Sequence, residues 1–296
     1  MNIKKRIAKV FRSILTIISP ILNTKVIYRV KFGKNLNLCN PVTLNEKISW
    51  LKLNTYYNND LVKTCADKYK VRSYIERADC AEILNGLVGV YYSPNDIPWE
   101  KLPSKFALKY NIGAGCNMIV PDKTKLDTAE AERIVSKWFK TKPYLGYSEM
   151  QYKGIKPCVI CEEYLGDNEG HFPLDYKFYC FNGKAKYVMI CIGREKGKPE
   201  YHFYDREWNF VPFQSLIDPH ITKPDKIEKA FEYADKLSKP FPFVRTDLYI
   251  VNHKIYFGEL TFSSMGGFDT DITVDADRIM GSLISECSLT SMTFFN

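Results

Sequence analysis

No acidic residue precedes Glu46, whereas nine of the chain's 42 basic residues fall within the first 34 positions. The remainder holds 33 basic and 34 acidic residues, so the net charge of +8 resolves into a basic head and a near-neutral body. A neutral body argues against nucleic acid as a partner, because phosphate recognition needs a basic face on the folded domain. Long apolar runs are also missing. Ser13 to Leu22 contains Pro20 and falls short of the roughly 20 residues that a bilayer span needs. The run has the length of a signal-peptide core, but no small-residue cleavage site follows, so the segment is expected to stay on the chain. The four histidines (His171, His202, His220, His253) stand singly, which leaves no zinc or serine-hydrolase constellation to read. Nine cysteines are scattered without a disulfide framework, which fits a reducing, cytoplasmic setting. The lone pair Cys158 and Cys161 falls in an expected strand, where positions three apart face opposite sides, and reads as core thiols. Neither repeat nor low-complexity tract is present, and 296 residues at 45% hydrophobic content describe an ordinary folded chain of one large or two to three small domains.

What is present begins with a basic amphipathic helix. Ile3, Ile7, Val10, Phe11, Ile14, Leu15 and Ile18 share one helical face, and Lys4, Lys5, Arg6, Lys9 and Arg12 fill the rest. Residues 3–18 are expected either to lie peripherally on an anionic inner membrane or to cap the core. Thr43 and Glu46 form a capping box opening a second helix, residues 60–77 read as helical, and Pro94, Pro98 and Pro103 mark a loop and boundary. Phe106 to Val120 reads as strand, glycine loop and strand. Gly113 and Gly115 there free the backbone so that amides can point at a phosphate, and Lys109 supplies charge; a plain hairpin turn is the alternative. Asp127 and Glu130 cap a further helix, and Asn182-Gly183 is a strong hairpin signal.

Phe243 to Gly267 predicts a second hairpin around Asn252-His253, with a carboxylate on each strand: Asp247 and Glu259. A two-residue loop would put Glu259 on the face opposite Asp247. A three-residue loop ending in a bulge would set the two carboxylates opposite each other, with Arg245 on the same face, and this is the expected arrangement. Such a face would hold Mg²⁺ and a phosphate oxygen. The plainer alternative is a structural Arg245-Asp247 pair beside a solvated Glu259.

In order, the chain offers Lys68, Lys109 before a glycine loop, a Glu-rich strand end at Cys161-Glu-Glu-Tyr-Leu-Gly, Arg245-Thr-Asp247 and a distal Glu259. Together they resemble the ATP-grasp fold, as in D-alanine:D-alanine ligase. Asn40-Pro-Val-Thr-Leu-Asn-Glu-Lys, Ala66-Asp-Lys-Tyr, Leu108-Lys-Tyr-Asn and Gly258-Glu-Leu-Thr-Phe resemble more closely the TupA-like ATP-grasp family of bacterial surface-polysaccharide loci, over about residues 35–270.

The resemblance implies an α+β protein in which two α+β subdomains clasp ATP behind a helical amino-terminal region. The expected divisions are 1–104 for that region, 105–164 for the lid subdomain and 165–296 for the metal and substrate subdomain. It implies that Lys68 and Lys109 contact the phosphates and that the Asn111–Cys116 amides, with Gly113 and Gly115, close over them. Glu162 to Leu165 would form the hinge, the main chain of Glu163 and Leu165 reading adenine and Tyr164 or Leu165 packing near its ring. Asp175 would bind ribose, Arg245 the acyl-phosphate oxygens, and Asp247, Glu259 and Thr261 the Mg²⁺. The family's usual third ligand is Asn, so Thr261 is a departure. A third phosphate-binding cation is unassigned, with Arg194 or Lys196 as guesses. The implied reaction is ATP-dependent carboxylate–amine ligation through an acyl phosphate, joining an amino acid or other amine to a uronic-acid-containing saccharide. The rivals are a glycosyltransferase using Asp269-Thr-Asp271 and a non-catalytic nucleotide-binding protein.

Overall fold

Helix α3 (Leu44–Leu53) starts where its sequence signal places it: the Thr43 hydroxyl accepts from the Glu46 amide, and the Glu46 carboxylate accepts from the Thr43 amide in return. This capping box satisfies amides that a helix start leaves unpaired. The computed structural model describes residues 3–166, 173–193, 199–214, 217–285 and 289. Two helices precede α3. α1 (Ile3–Ile18) ends at Ser19, whose hydroxyl caps α2 (Pro20–Phe32) with Pro20 in the first turn. The stretch expected as one helix over 60–77 is two, α4 (Asp60–Ala66) and α5 (Val71–Arg77). Asp67 breaks the run by accepting from the amides of Tyr69 and Lys70, an Asx turn that competes with helical bonding.

Strands β1 (Leu87–Tyr91), β2 (Phe106–Tyr110) and β3 (Asn117–Val120) follow, then α6 (Thr128–Phe139), α7 (Tyr144–Tyr147) and β4 (Val159–Glu163). They form an antiparallel four-stranded sheet of order β1-β4-β2-β3. Its core packs Phe106, Leu108, Val135 and Trp138 with Ile97 and Trp99. The sheet therefore reaches back to residue 87, across the boundary expected at 104.

The remaining strands are β5 (Asp175–Phe181), β6 (Lys184–Ile192), β7 (Glu200–Asp205), β8 (Phe210–Val211), β9 (Phe243–Val251) and β10 (Lys254–Thr261). They form a second antiparallel sheet of order β10-β9-β5-β6-β7-β8, packed by α8 (Ile227–Ser238) and followed by α9 (Val274–Ser282). Its core contains Phe178, Val188, Phe231 and Phe243, together with Ile48, Trp50, Val62 and Ile75 from α3, α4 and α5. Those helices are thus part of this sheet's core. The Asn182-Gly183 turn joins β5 to β6 with both residues at positive φ, as its sequence predicts.

Helix α9 packs against the entry to α3. The Asp277 carboxylate accepts from the Asn45 amide and side chain, and Gly281 leaves room for the chain at Val42–Leu44. A Cβ on Gly281 would lie 2.3 Å from the Val42 carbonyl oxygen. Gly281→Ala should therefore destabilise the protein by about 1–3 kcal/mol through overpacking. Thermal denaturation checks this, and an unchanged midpoint would show that the α3–α9 contact relaxes freely.

Candidate active site between the two sheets

The β9–β10 hairpin combines both arrangements considered from sequence. Asn252 and His253 form a two-residue turn at positive φ with Val251 opposite Lys254. The register then shifts between Phe257 and Glu259, which brings Glu259 opposite Asp247 and Thr261 opposite Arg245. The expected pairing is reached through a bulge at Gly258 and not through the loop. A Cβ at Gly258 would stand 2.9 Å from the Asp247 carbonyl oxygen, so a residue without one suits the close approach.

Asp247 is 2% exposed and lies at the centre of an ion network. Arg245 Nε donates to Oδ1 and Nη2 to Oδ2, each at 2.7 Å, and Lys177 Nζ donates to Oδ2 at 2.7 Å from the next strand. Burial pushes the Asp247 carboxyl up, and these charge-assisted bonds oppose it. Lys177 also pairs with Asp175 on its own strand. Arg245 extends further, to Ser264 Oγ at 3.1 Å and Thr261 Oγ1 at 3.2 Å. The Thr261 hydroxyl donates to Glu259 Oε1 at 3.0 Å, and Lys68 Nζ stands 3.3 Å from Oε2. Burial disfavours the charge on Glu259, yet Lys68, Arg245 and Lys177 bring its carboxyl down to about 2. The Arg245-Asp247 pair is real, but Glu259 is held in the same network.

A cleft opens beside this network, lined by Lys68, Arg72, Leu84, Asn85, Lys109, Ile160, Glu162, Phe257 and Gly258. It thus takes residues from β2 and β4 of one sheet and β10 of the other. Lys109 meets Glu162 Oε2 at 2.7 Å, and Arg72 meets Oε1 at 3.4 Å. Across cleft and network, five cations (Lys68, Arg72, Lys109, Lys177, Arg245) face four carboxylates (Glu162, Asp175, Asp247, Glu259).

The glycine loop between β2 and β3 meets the cleft through Lys68. Gly113 and Gly115 have φ of 73° and 79°, and Lys68 Nζ donates to the Gly113 carbonyl. Buried Asn111 anchors the loop base, bonding Asp67, the Lys156 carbonyl and the Cys158 amide. One short segment, Asp67-Lys68, thereby holds both the loop and Glu259. Glu163, Tyr164 and Leu165 follow Glu162 but do not line the cleft. The Glu163 amide donates to the Gly86 carbonyl, and its own carbonyl accepts from Asn85.

Beyond β10, the Ser263 hydroxyl donates to Glu149 at 2.7 Å and accepts from Gln151 Nε2 at 2.8 Å. Fully buried Lys52 of α3 donates to the carbonyls of Gly266 and Tyr147 at 2.6 and 2.7 Å. Burial lowers its ammonium to about 7, with Glu149 acting against it. Asp269 caps its own turn by accepting from the Asp271 amide, while its main chain bonds Asn45, so Asp269-Thr-Asp271 has a structural role. Cys158 and Cys161 are buried thiols pushed up to about 12 by desolvation. Arg194 and Lys196 lie outside the described residues.

Arg72 and Lys177 were not assigned roles from sequence. The spacing of Arg72 four residues after Lys68, and the shared strand face of Asp175 and Lys177, are the signals that point to them. Leu84, Ile160 and Phe257 carry no such signal, being apolar residues among many.

A cleft lined by cations that takes residues from both antiparallel sheets, a glycine loop tied to it through Lys68 and paired carboxylates beside it are the arrangement of the ATP-grasp fold. The chain belongs to the TupA-like ATPgrasp family, whose model matches residues 46–285. No curated protein matches. Similar solved structures include D-alanine–D-alanine ligase from Bacillus anthracis, 15% identical with a TM-score of 0.45 over 76% of this chain and 65% of that one. The D-alanine–D-alanine ligase from Helicobacter pylori is 12% identical, with a TM-score of 0.46 over 82% of this chain and 69% of that one. The ATP-grasp ligase PsnB, complexed with a phosphomimetic variant of its minimal precursor, Mg and ADP, is 12% identical with a TM-score of 0.45 over 80% and 65%. The chain spans about two-thirds of the length of these structures.

The depressed Glu259 carboxyl has a pH signature. Its ordinary value is 4.5 and its folded value about 2, so its contribution to stability is complete above 4.5 and is lost as pH falls from there towards 2. Glu259→Gln should flatten that part of the stability–pH profile, measured by denaturant unfolding. An unchanged slope would mean that Lys68 and Arg245 do not favour the ionised form.

Proposed function

We propose that the protein is an ATP-dependent carboxylate–amine ligase. The observation that carries this reading is the meeting of the cation-lined cleft with the Arg245, Asp247, Glu259 and Thr261 cluster through Lys68. Membership of an ATP-grasp family supports it. The chemistry is that ATP, bound with Mg²⁺, phosphorylates a carboxylate to an acyl phosphate; attack by an amine then gives an amide, ADP and phosphate.

The chain's own residues supply charge and position. Lys109, Lys68 and Arg72 line the cleft with positive charge suited to nucleotide phosphates, and the amides around Gly113 and Gly115 can turn towards them. The donor set on β9 and β10 is all oxygen, which suits Mg²⁺. Both Asp247 oxygens already accept from Arg245 and Lys177, so Glu259, whose side chain is 28% exposed, is the more open ligand, with the Thr261 hydroxyl beside it. Arg245 would hold the transferring phosphoryl oxygens, with no protein nucleophile required. Asp175 and the Leu165 main chain would take the nucleoside, Tyr164 or Leu165 packing near its ring. Ser263, Ser264 and the Gly266-Gly267 turn offer hydroxyls and amides to the substrate carboxylate. We assign the substrates as an amine or amino acid and a uronic-acid-containing surface saccharide or its precursor, the class implied by the family's setting.

Isothermal titration with a non-hydrolysable ATP analogue, with and without Mg²⁺ and alongside UDP-sugars, tests this. Mg²⁺-dependent ATP binding weakened at least tenfold in Lys109→Ala is expected, and Glu259→Gln should abolish ADP release while the protein stays folded. Pairs of amino acids and uronic acids would then be screened for ADP release. Binding of UDP-sugars without ATP would overturn the ligase reading.

A further inference from the structure

Helix α1 turns its apolar side away from the protein. Ile7, Val10, Phe11, Ile14, Ile17 and Ile18 are each at least 50% exposed, and Ile21 (48%) and Leu22 (43%) continue the strip into α2. The side that meets the protein centres on polar residues, with Leu15 half-buried beside them. Thr16 is 3% exposed, donates to the Leu145 carbonyl and lies 3.0 Å from Ser148 Oγ; Asn23 Nδ2 donates to both hydroxyls. Arg12 stacks over the Tyr147 ring at 5.1 Å. At 3.6 residues per turn, Thr16 points about 160° away from both Ile14 and Ile18. A helix that caps a core buries its apolar face and exposes its polar one; α1 does the reverse.

We propose that this strip seats on the surface of an anionic lipid bilayer, with α1 lying in the plane of the interface. Charge identifies the occupant. Residues 1–45 hold nine basic residues and no acidic one, and Arg6, Lys9, Lys25, Arg29, Lys31 and Lys34 are exposed. An apolar strip set among cations matches acyl chains beneath anionic headgroups. A second copy would bring nine like charges against nine. No described helix is long and apolar enough to cross the membrane, so the contact is a surface one.

Co-sedimentation of the full chain with vesicles of phosphatidylcholine alone, and of phosphatidylcholine with phosphatidylglycerol, tests the proposal. ATP is omitted, which makes the result independent of the ligase reading. Binding at least tenfold tighter to the anionic vesicles, and weakened by added salt, is expected. Phe11→Asp/Ile14→Asp should lose that binding at least tenfold, and so should Arg6→Glu/Lys9→Glu. All four side chains are exposed, so unchanged thermal midpoints would show both variants folded; should the first pair misfold, the charge pair decides. Failure of the wild type to sediment with anionic vesicles would overturn the proposal. So would retained binding in the variants, or a dimer in solution that Phe11→Asp/Ile14→Asp dissolves.

Discussion

A carboxylate removed from water must be met by cations, and Asp247 sets that requirement for the whole second sheet. Ionised and nearly inaccessible, it would be strongly unfavourable alone. Arg245 two residues earlier and Lys177 on the neighbouring strand meet it, and each then carries a further partner outward. The network cannot stop at neutrality within one strand. It spreads through Thr261 to Glu259, and through Lys68 to the glycine loop, until it reaches the cleft. The same electrostatics that make Asp247 tolerable thus assemble the candidate site.

Much of this was legible in sequence because it rests on local rules. The capping box at Thr43, the Asn182-Gly183 turn and the face shared by Arg245 and Asp247 follow from spacing alone. The register of β10 did not. A two-residue turn argues for one pairing and the paired carboxylates for another; the conflict is resolved at Gly258, where close approach of the Asp247 backbone favours a bulge. Glycine in a strand signals that something is close but not what. Asn85 was hidden for another reason: its partner, the Glu163 carbonyl, lies 78 residues on and is brought near only by sheet packing.

The amino-terminal helices divide by the same logic. α3 is buried along its length, and even Lys52 is taken inside, where two carbonyls and the ring of Phe268 receive its ammonium. α1 has a clean amphipathic pattern, yet periodicity reports only that two faces differ. It does not report which one meets the fold. Thr16 and Asn23 decide that, because their side chains find partners at Ser148.

Ser148 and Glu149 are consecutive residues with opposite allegiances. The first is held by α1 and α2, and the second accepts from Ser263 in the loop that leaves β10. Ser148 itself adopts a left-handed backbone, φ 56°, where the chain turns from one set of partners to the other. The chain's first two helices and the loop that leaves β10, remote in sequence, are thus tied to adjacent residues of one backbone.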